Sequence, residues 1–138
     1  SPASAFPGDI ATTSSISAAP IEEVFGTKSQ SSNGMVKVVI GRKTRMHGVE
    51  VGNEMGVNTW AAFAGSDEQA VVDGDFAMLE SELQTVLKTM RASGINIVAI
   101  HQHMTEETPR IMFLHYWGKG KAIDLATAVK KALIAQGS

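Results

Sequence analysis

The sequence predicts an α+β fold, in which a mainly antiparallel sheet carries two helices on one face. Two observations predict it: strand patterns dominate the first half of the chain, and helix, strand, strand and helix follow in the second half. Elements in that order favour helices packed together on one face of an antiparallel sheet. With 138 residues and 43% hydrophobic content, the chain has the size and composition of one globular domain.

The first 20 residues differ in composition from the rest. Sixteen of them are Ser, Ala, Thr, Pro or Gly, and three of the four prolines lie there. Such a segment cannot bury enough apolar surface to offset its ordering entropy. We therefore expect a flexible leader over residues 1–20 and a single α+β domain over residues 21–138. The chain begins with Ser rather than Met, which indicates a processed or trimmed product.

The first ordered elements alternate with turns. Pro20 suits the first position of a single helical turn that ends at Gly26. Asn33-Gly34 is a hairpin-type dipeptide, and the alternating residues 35–40 after it predict a strand. A polar stretch with a turn at His47-Gly48 then precedes a second, apolar and aromatic strand, which spans residues 58–65.

The second half starts with a long strand over residues 69–79, which Asp73-Gly74 is expected to interrupt as a bulge or tight turn. Ser81 and Gln84 fit a capping box, and apolar residues at helical spacing follow as far as Ser93-Gly94. Three further elements are predicted: strands over residues 95–104 and 110–116, and a helix over residues 121–135.

Three of the four histidines fall within this last pair of strands. The five-residue connection over residues 105–109 favours antiparallel pairing, and alternation places His101 and His103 on one face. A register in which His101 faces Phe113 puts His115 diagonal to His101, within reach of a shared ligand. A slip of one residue would put His115 on the other face.

Three neutral imidazoles on one sheet face are suited to Zn²⁺ or Cu²⁺. We therefore expect His101, His103 and His115 to hold a divalent transition metal. The alternative is that they are hydrogen-bonded strand residues, or a pH-sensitive patch. We expect His47 to be an exposed turn residue outside this site.

Several carboxylates could complete the site, and the sequence does not choose among them. Asp73 and Asp75 flank Gly74, whereas Glu80 and Glu82 lie where the strand enters the helix. Each could bind the ion, orient a ligand or act as a general base. Glu80 and Glu82 are our catalytic candidates if the domain is a hydrolase; otherwise they favour only the helix dipole. Three methionines could add thioether ligands for Cu(I), although such residues usually pack: Met46, Met104 and Met112.

Composition excludes other classes of function. The absence of Cys excludes disulfides, thiolate zinc sites and a Cys nucleophile. A net charge of −2 provides no basic field for nucleic acid. No apolar run approaches the 18 residues of a membrane span. The glycines at 118 and 120 form a lone G-x-G, better interpreted as a strand-to-helix turn than as a phosphate loop.

Five short motifs carry a resemblance to a known family: Trp60-Ala61-Ala62-Phe63, Gly74-Asp75, His101-x-His103, Pro109-Arg110 and Phe113-x-His115. With these motifs the chain resembles the LppY/LpqO-type bacterial lipoprotein family, a domain of unknown function, from about Ile21 to Leu133. The resemblance implies an exported protein, often lipid-anchored, in the periplasm or cell envelope. Family members commonly have Asn where this chain has Gln102, and another residue at His47. Without Cys, an anchor would have to lie upstream of this segment, or the protein is secreted.

Three functions therefore remain open at the level of sequence. The first is an exported module that binds Zn or Cu through the histidines. The second is a metal-dependent hydrolase of the cell envelope, in which a carboxylate base activates water. The third is a domain that binds a small ligand without metal, in a pocket lined by the histidines, Tyr116 and Trp117.

Overall fold

The computed structural model describes residues 13–41, 44–46, 49–51, 58–102 and 111–136. Three α-helices lie in these ranges: α1 (Ala18–Phe25), α2 (Leu83–Ala92) and α3 (Ala122–Ala135). The strands are β1 (Gln30–Ser32), β2 (Met35–Gly41), β3 (Thr44–Met46), β4 (Val49–Val51), β5 (Asn58–Gly65), β6 (Ala70–Leu79), β7 (Asn96–Gln102) and β8 (Ile111–Gly120).

Six strands form one antiparallel sheet in the order β1-β2-β5-β6-β8-β7, and β3 pairs with β4 separately. The helices pack together and share one core with the sheet, which confirms the predicted α+β class. The described ranges contain three α-helices, whereas the sequence predicted two. The third is α1, which includes the predicted single turn at Pro20 and buries Ile21 and Phe25. None of the helices in the described ranges is long and apolar enough to cross a membrane.

Side-chain alternation divides the sheet into two faces. The helix face carries buried core residues of β6 and β8, such as Val72, Phe76 and Leu114, each 0% exposed. We call the opposite face the distal face. Burying the helix face against α1, α2 and α3 removes the apolar surface from water, which is the main stabilising contribution to such a fold.

The described part of the predicted leader is packed against the sheet. The Ser15 N–H donates to the Gly65 carbonyl at 2.7 Å, and the Ile16 N–H donates to the Gly34 carbonyl at 2.9 Å. Ile16 is buried in the core. These contacts offset the entropy cost of ordering the segment, which the composition alone led us to expect would keep it flexible. Residues 1–12 of the predicted leader lie outside the described residues.

Several sequence predictions are confirmed. Asn33 and Gly34 have φ values of 55° and 78° and turn the chain between Ser32 and Met35, which pair. The helix predicted at the C-terminus is α3, and its apolar stripe is buried. The buried stripe consists of Ala122, Leu125, Ala126, Val129, Ala132 and Leu133.

Other boundaries are corrected. Asp73-Gly74 forms no bulge, because β6 pairs without interruption with both β5 and β8; the irregularity lies in β7, between Ile97 and Ala99. The capping box at Ser81 is also wrong. The Glu82 carboxylate instead accepts from the Leu79 N–H at 2.8 Å, and α2 begins after this turn.

Candidate functional site

The predicted register of the histidine hairpin is confirmed where the structure describes it. His101 pairs with Phe113, and Ala99 pairs with His115. The Cα atoms of His101 and His115 are therefore diagonal neighbours, roughly 7–8 Å apart. His103 lies outside the described residues, and for His101 only the backbone is described.

The described contacts of His115 are with the other neighbouring strand, β6. Its Nδ1 lies 2.9 Å from Asp75 Oδ1, and its Nε2 lies 2.9 Å from Asp73 Oδ1. The side chain of Asp73 is 8% exposed, whereas those of His115 and Asp75 are 26% and 27% exposed. The imidazole thus bridges two aspartates on the distal face and leans away from β7.

This bridging arrangement requires two protons among its three groups. A neutral imidazole offers one N–H and one lone pair, and an ionised carboxylate only accepts hydrogen bonds. Two hydrogen bonds therefore need either an imidazolium between two carboxylates, or a neutral His115 with one protonated aspartate. Both forms carry a net charge of −1, so this part of the distal face attracts cations.

Burial raises the pKa of Asp73, and the nearby charge of His115 and its hydrogen bond act in the opposite direction. Desolvation is the larger effect because Asp73 is almost completely removed from water. A buried carboxylate whose charge depends on one imidazole neighbour is a common feature of binding and catalytic sites.

Gly74 lies between the two aspartates on a regular strand, so Asp73 and Asp75 point to the same face. On the helix face the fully buried Tyr116 crosses Gly74, and its hydroxyl donates to the Trp60 carbonyl at 2.9 Å. On the distal face the Trp60 ring is covered by Lys37, whose Nζ lies 4.9 Å from the ring centroid. The aspartates are thus mounted on a tightly packed part of the sheet.

Other predicted site residues lie elsewhere. Within the described chain, the carboxylates at hydrogen-bond distance from His115 are those of Asp73 and Asp75, and not those of Glu80 or Glu82. Glu80 is exposed, and Glu82 contacts the Leu79 N–H and, at 3.4 Å, Gln136 Nε2.

Two further candidates belong to the core or lie outside the described chain. Tyr116 is on the helix face, so the predicted pocket in which it accompanies the histidines is wrong. Met112 packs against the core, as expected of most such methionines. His47 and Met104 lie outside the described residues, and only the backbone of Met46 is described.

The described side chains include no group of three His, Asp or Glu residues arranged to hold a metal ion. Asp73 Oδ1 and His115 Nε2 are two candidate ligand atoms, and they lie 2.9 Å apart. The sequence marks both aspartates as candidates, but their place beside His115 depends on the pairing of β6 with β8, which are distant in the chain. The sequence feature that points to this pair is the Asp-x-Asp spacing of residues 73 and 75, which puts both carboxylates on one face of a strand.

Comparison with known proteins identifies one family. Residues 19–135 match the family described as "Domain of Unknown Function (DUF1259)". No curated protein and no solved structure gives a significant match.

Proposed function

This chain belongs to the family described as Domain of Unknown Function (DUF1259), which has no assigned activity, and we propose from the site that the domain binds a divalent transition metal, Zn or Cu. The observation that carries the proposal is the contact of both ring nitrogens of His115 with carboxylates at 2.9 Å. A metal-bound histidine usually donates its second ring N–H to a carboxylate, which fixes the tautomer and the ring orientation.

Charge supports the same proposal. Asp73, His115 and Asp75 together carry a net negative charge, and the side chains of His115 and Asp75 are partly exposed. Zn²⁺ and Cu²⁺ prefer imidazole nitrogen together with carboxylate oxygen when no thiolate is present, and this chain has no Cys.

Two partner sets for His115 are compatible with this function. In the first, His101 and His103 supply two more imidazoles, and the ring of His115 turns from β6 towards β7. In the second, the ring stays where it is and an aspartate shares the ion. The first set remains the prediction of the sequence, and the second keeps the ring of His115 on the β6 side, where its described partners lie.

The test is a titration of untagged protein with Zn²⁺ and Cu²⁺ by calorimetry. We expect wild-type protein to bind one equivalent, and His115→Ala to lose at least ten-fold in affinity. Glu23→Gln, which removes an exposed carboxylate on α1, is the matched control and should bind like wild type. If wild-type protein binds no tighter than a variant with Ala at His101, His103 and His115, the proposal is wrong.

We also propose that the protein works outside the cytoplasm, as an LppY/LpqO-type lipoprotein or a secreted relative of one. The resemblance described above supports this location, and a chain without Cys suits an oxidising compartment. Cell fractionation of a strain that expresses the intact precursor would test the location. Recovery of the protein only in the cytoplasmic fraction would refute it.

A further inference from the structure

We propose that the outer edge of β7 is an interaction surface, and that its partner is the β7 of a second copy of this chain. The two strands run antiparallel across a two-fold axis at Ala99 and join the two sheets into one. This contact is separate from the site at His115 and needs no metal ion.

β7 lies at one end of the sheet. The strand order ends with β7, and among the described strands β8 is the one that pairs with it. The other side of β7 therefore presents backbone N–H and C=O groups to any strand that can add to the sheet. An extended chain segment is the kind of partner that satisfies such groups.

The composition of β7 leaves this edge unprotected. Natural edge strands are usually protected by short length, by charged side chains or by proline. The opposite edge, β1, fits this pattern, since it has three residues, all of them polar and exposed. β7 has seven residues, and none of them is charged or proline. Two of its apolar side chains, Val98 and Ile100, are 57% and 40% exposed in spite of the bulge between Ile97 and Ala99.

The positions of the two exposed side chains favour a second β7 as the partner. Val98 and Ile100 lie on either side of Ala99, which is the middle residue of the strand. Antiparallel pairing centred on Ala99 puts Val98 of each copy opposite Ile100 of the other, so one symmetric contact covers all four side chains. A charged partner strand would instead place its charges against apolar side chains, which is costly.

Charges at the two ends of α2 support the same arrangement. α2 packs on β7 and runs antiparallel to it, because only the turn at Ser93-Gly94 joins them. A two-fold axis at Ala99 brings the N-terminal end of α2 in one copy to the level of the C-terminal end in the other. Glu80, just before α2, and Arg91, in its last turn, are both exposed. The dimer therefore places opposite charges at the same level on both sides of the axis.

The test is sedimentation velocity of the full chain over a micromolar to submillimolar concentration series. EDTA is present, so that an ion shared by histidines of two copies cannot mimic strand pairing. We expect wild type to dimerise, and Ile100→Lys to raise the dissociation constant at least about ten-fold, because two like charges then enter the contact near the axis. Wild type that stays monomeric throughout, or Ile100→Lys that dimerises as tightly as wild type, would overturn the inference.

Ile134→Lys is the matched control. It introduces the same charge at an apolar residue of α3 that is 62% exposed and lies away from the β7 edge, so this variant should dimerise like wild type. Equal weakening by Ile134→Lys and Ile100→Lys would mean that the contact is not specific to β7. Circular dichroism of both variants checks that a lost dimer is not a lost fold.

Disulfide trapping tests the register, since the chain has no Cys of its own. Residues directly opposite each other in an antiparallel pair have Cα atoms about 4.5–5.5 Å apart, a distance that a disulfide spans. Ala99→Cys should therefore cross-link into a dimer under mild oxidation, and Ile134→Cys should cross-link far more slowly. Equal rates for the two variants would show that the copies do not meet at Ala99.

Charge reversal tests the arrangement of the two α2 helices. Arg91→Glu should weaken the dimer, because like charges then lie at the same level. The double variant Glu80→Arg with Arg91→Glu should restore it. A double variant that dimerises no more tightly than Arg91→Glu would contradict the antiparallel placement of α2 across the axis.

Discussion

Gly74 and Tyr116 face each other across β6 and β8, and the phenol ring lies directly over the glycine. A Cβ at position 74 would come 2.6 Å from the Tyr116 hydroxyl oxygen and would also collide with the Trp60 carbonyl. The hydroxyl crosses the glycine to donate to that same carbonyl at 2.9 Å. Because Gly74 has no side chain, the buried Tyr116 hydroxyl of β8 can pass over β6 and bond to the Trp60 carbonyl of β5. One hydrogen bond thus links three strands.

Gly74→Ala is expected to destabilise the fold by about 1–3 kcal/mol or more, since backbone as well as side chain must move. Because residue 74 lies between Asp73 and Asp75, the shift should also displace both carboxylates from His115. Urea unfolding measures the first effect, and Zn²⁺ titration measures the second. An alanine variant of wild-type stability would contradict the close packing described.

Tyr116→Phe isolates the hydrogen bond from the ring. The ring still fills the space over Gly74, but the Trp60 carbonyl loses its buried donor, at a cost of about 0.5–1.5 kcal/mol. Chemical denaturation should therefore give Tyr116→Phe a free energy of unfolding between those of wild type and Gly74→Ala. A Phe variant less stable than Gly74→Ala would contradict this order.

Gly34 and Gly26 provide a matched pair that tests the packing of residues 13–16. Both have positive φ, 78° and 69°, so Ala at either position costs about 1–2 kcal/mol in backbone strain. A Cβ at Gly34 would also overlap the Ser14 carbonyl, whereas a Cβ at Gly26 meets nothing within 4 Å. Thermal unfolding should find Gly34→Ala the less stable by a further 1 kcal/mol or so. Equal stabilities would mean that the N-terminal segment does not rest on this turn.

Contacts within a short segment were predictable from the sequence, whereas contacts between strands that are distant in the chain were not. The Asn33-Gly34 turn and the pairing of His101 with Phe113 depend on local chemistry and a short loop, and both were predictable. The contact of His115 with Asp73 depends on β6 lying beside β8, although α2 and β7 separate them in the chain. Strand order of that kind is set by burial of the whole helix face, which no local pattern records.

The segment over residues 13–17 was mispredicted for a related reason. Its composition includes a single apolar residue, Ile16, but that side chain enters the core, and the backbone N–H of Ser15 donates to Gly65 of β5. A few long-range hydrogen bonds and one buried side chain order a segment that composition assigns to a leader.

The bulge predicted at Asp73-Gly74 has a different physical reason for its absence. A glycine inside a strand often marks a bulge, whereas here Gly74 lies on a regular strand and leaves room for Tyr116.

Glu82 should prove to be a stability residue rather than a catalytic one. Its carboxylate accepts from the Leu79 N–H at the turn that precedes α2, so Glu82→Ala is expected to cost about 1 kcal/mol. The affinity for Zn²⁺ should remain within about two-fold of wild type. Glu82→Gln, which keeps an accepting oxygen, should recover part of the stability. A large loss of metal affinity in either variant would return Glu82 to the site.

Asp67 should make the stability of the fold pH-dependent. Its carboxylate accepts from the Ser17 Oγ–H at 2.5 Å and from the Ser17 N–H at 2.8 Å, and these bonds lower the pKa of Asp67. Its backbone carbonyl also accepts from the Ala122 N–H at the start of α3. Asp67 therefore joins the N-terminal ends of α1 and α3.

Because the pKa of Asp67 is lower in the folded state, its contribution is complete above the unfolded value of about 3.9 and is lost as the pH falls through the folded value. Asp67→Asn should cost about 1 kcal/mol at pH 7, and the difference from wild type should shrink below about pH 4. Urea unfolding between pH 2.5 and pH 7 measures this difference. The control is Glu68→Gln in the same loop, whose exposed carboxylate lies 3.8 Å from Lys121 Nζ and should contribute little at any pH. A difference between Asp67→Asn and wild type that stays constant across this range would show that the charge of Asp67 does not hold α1 in place.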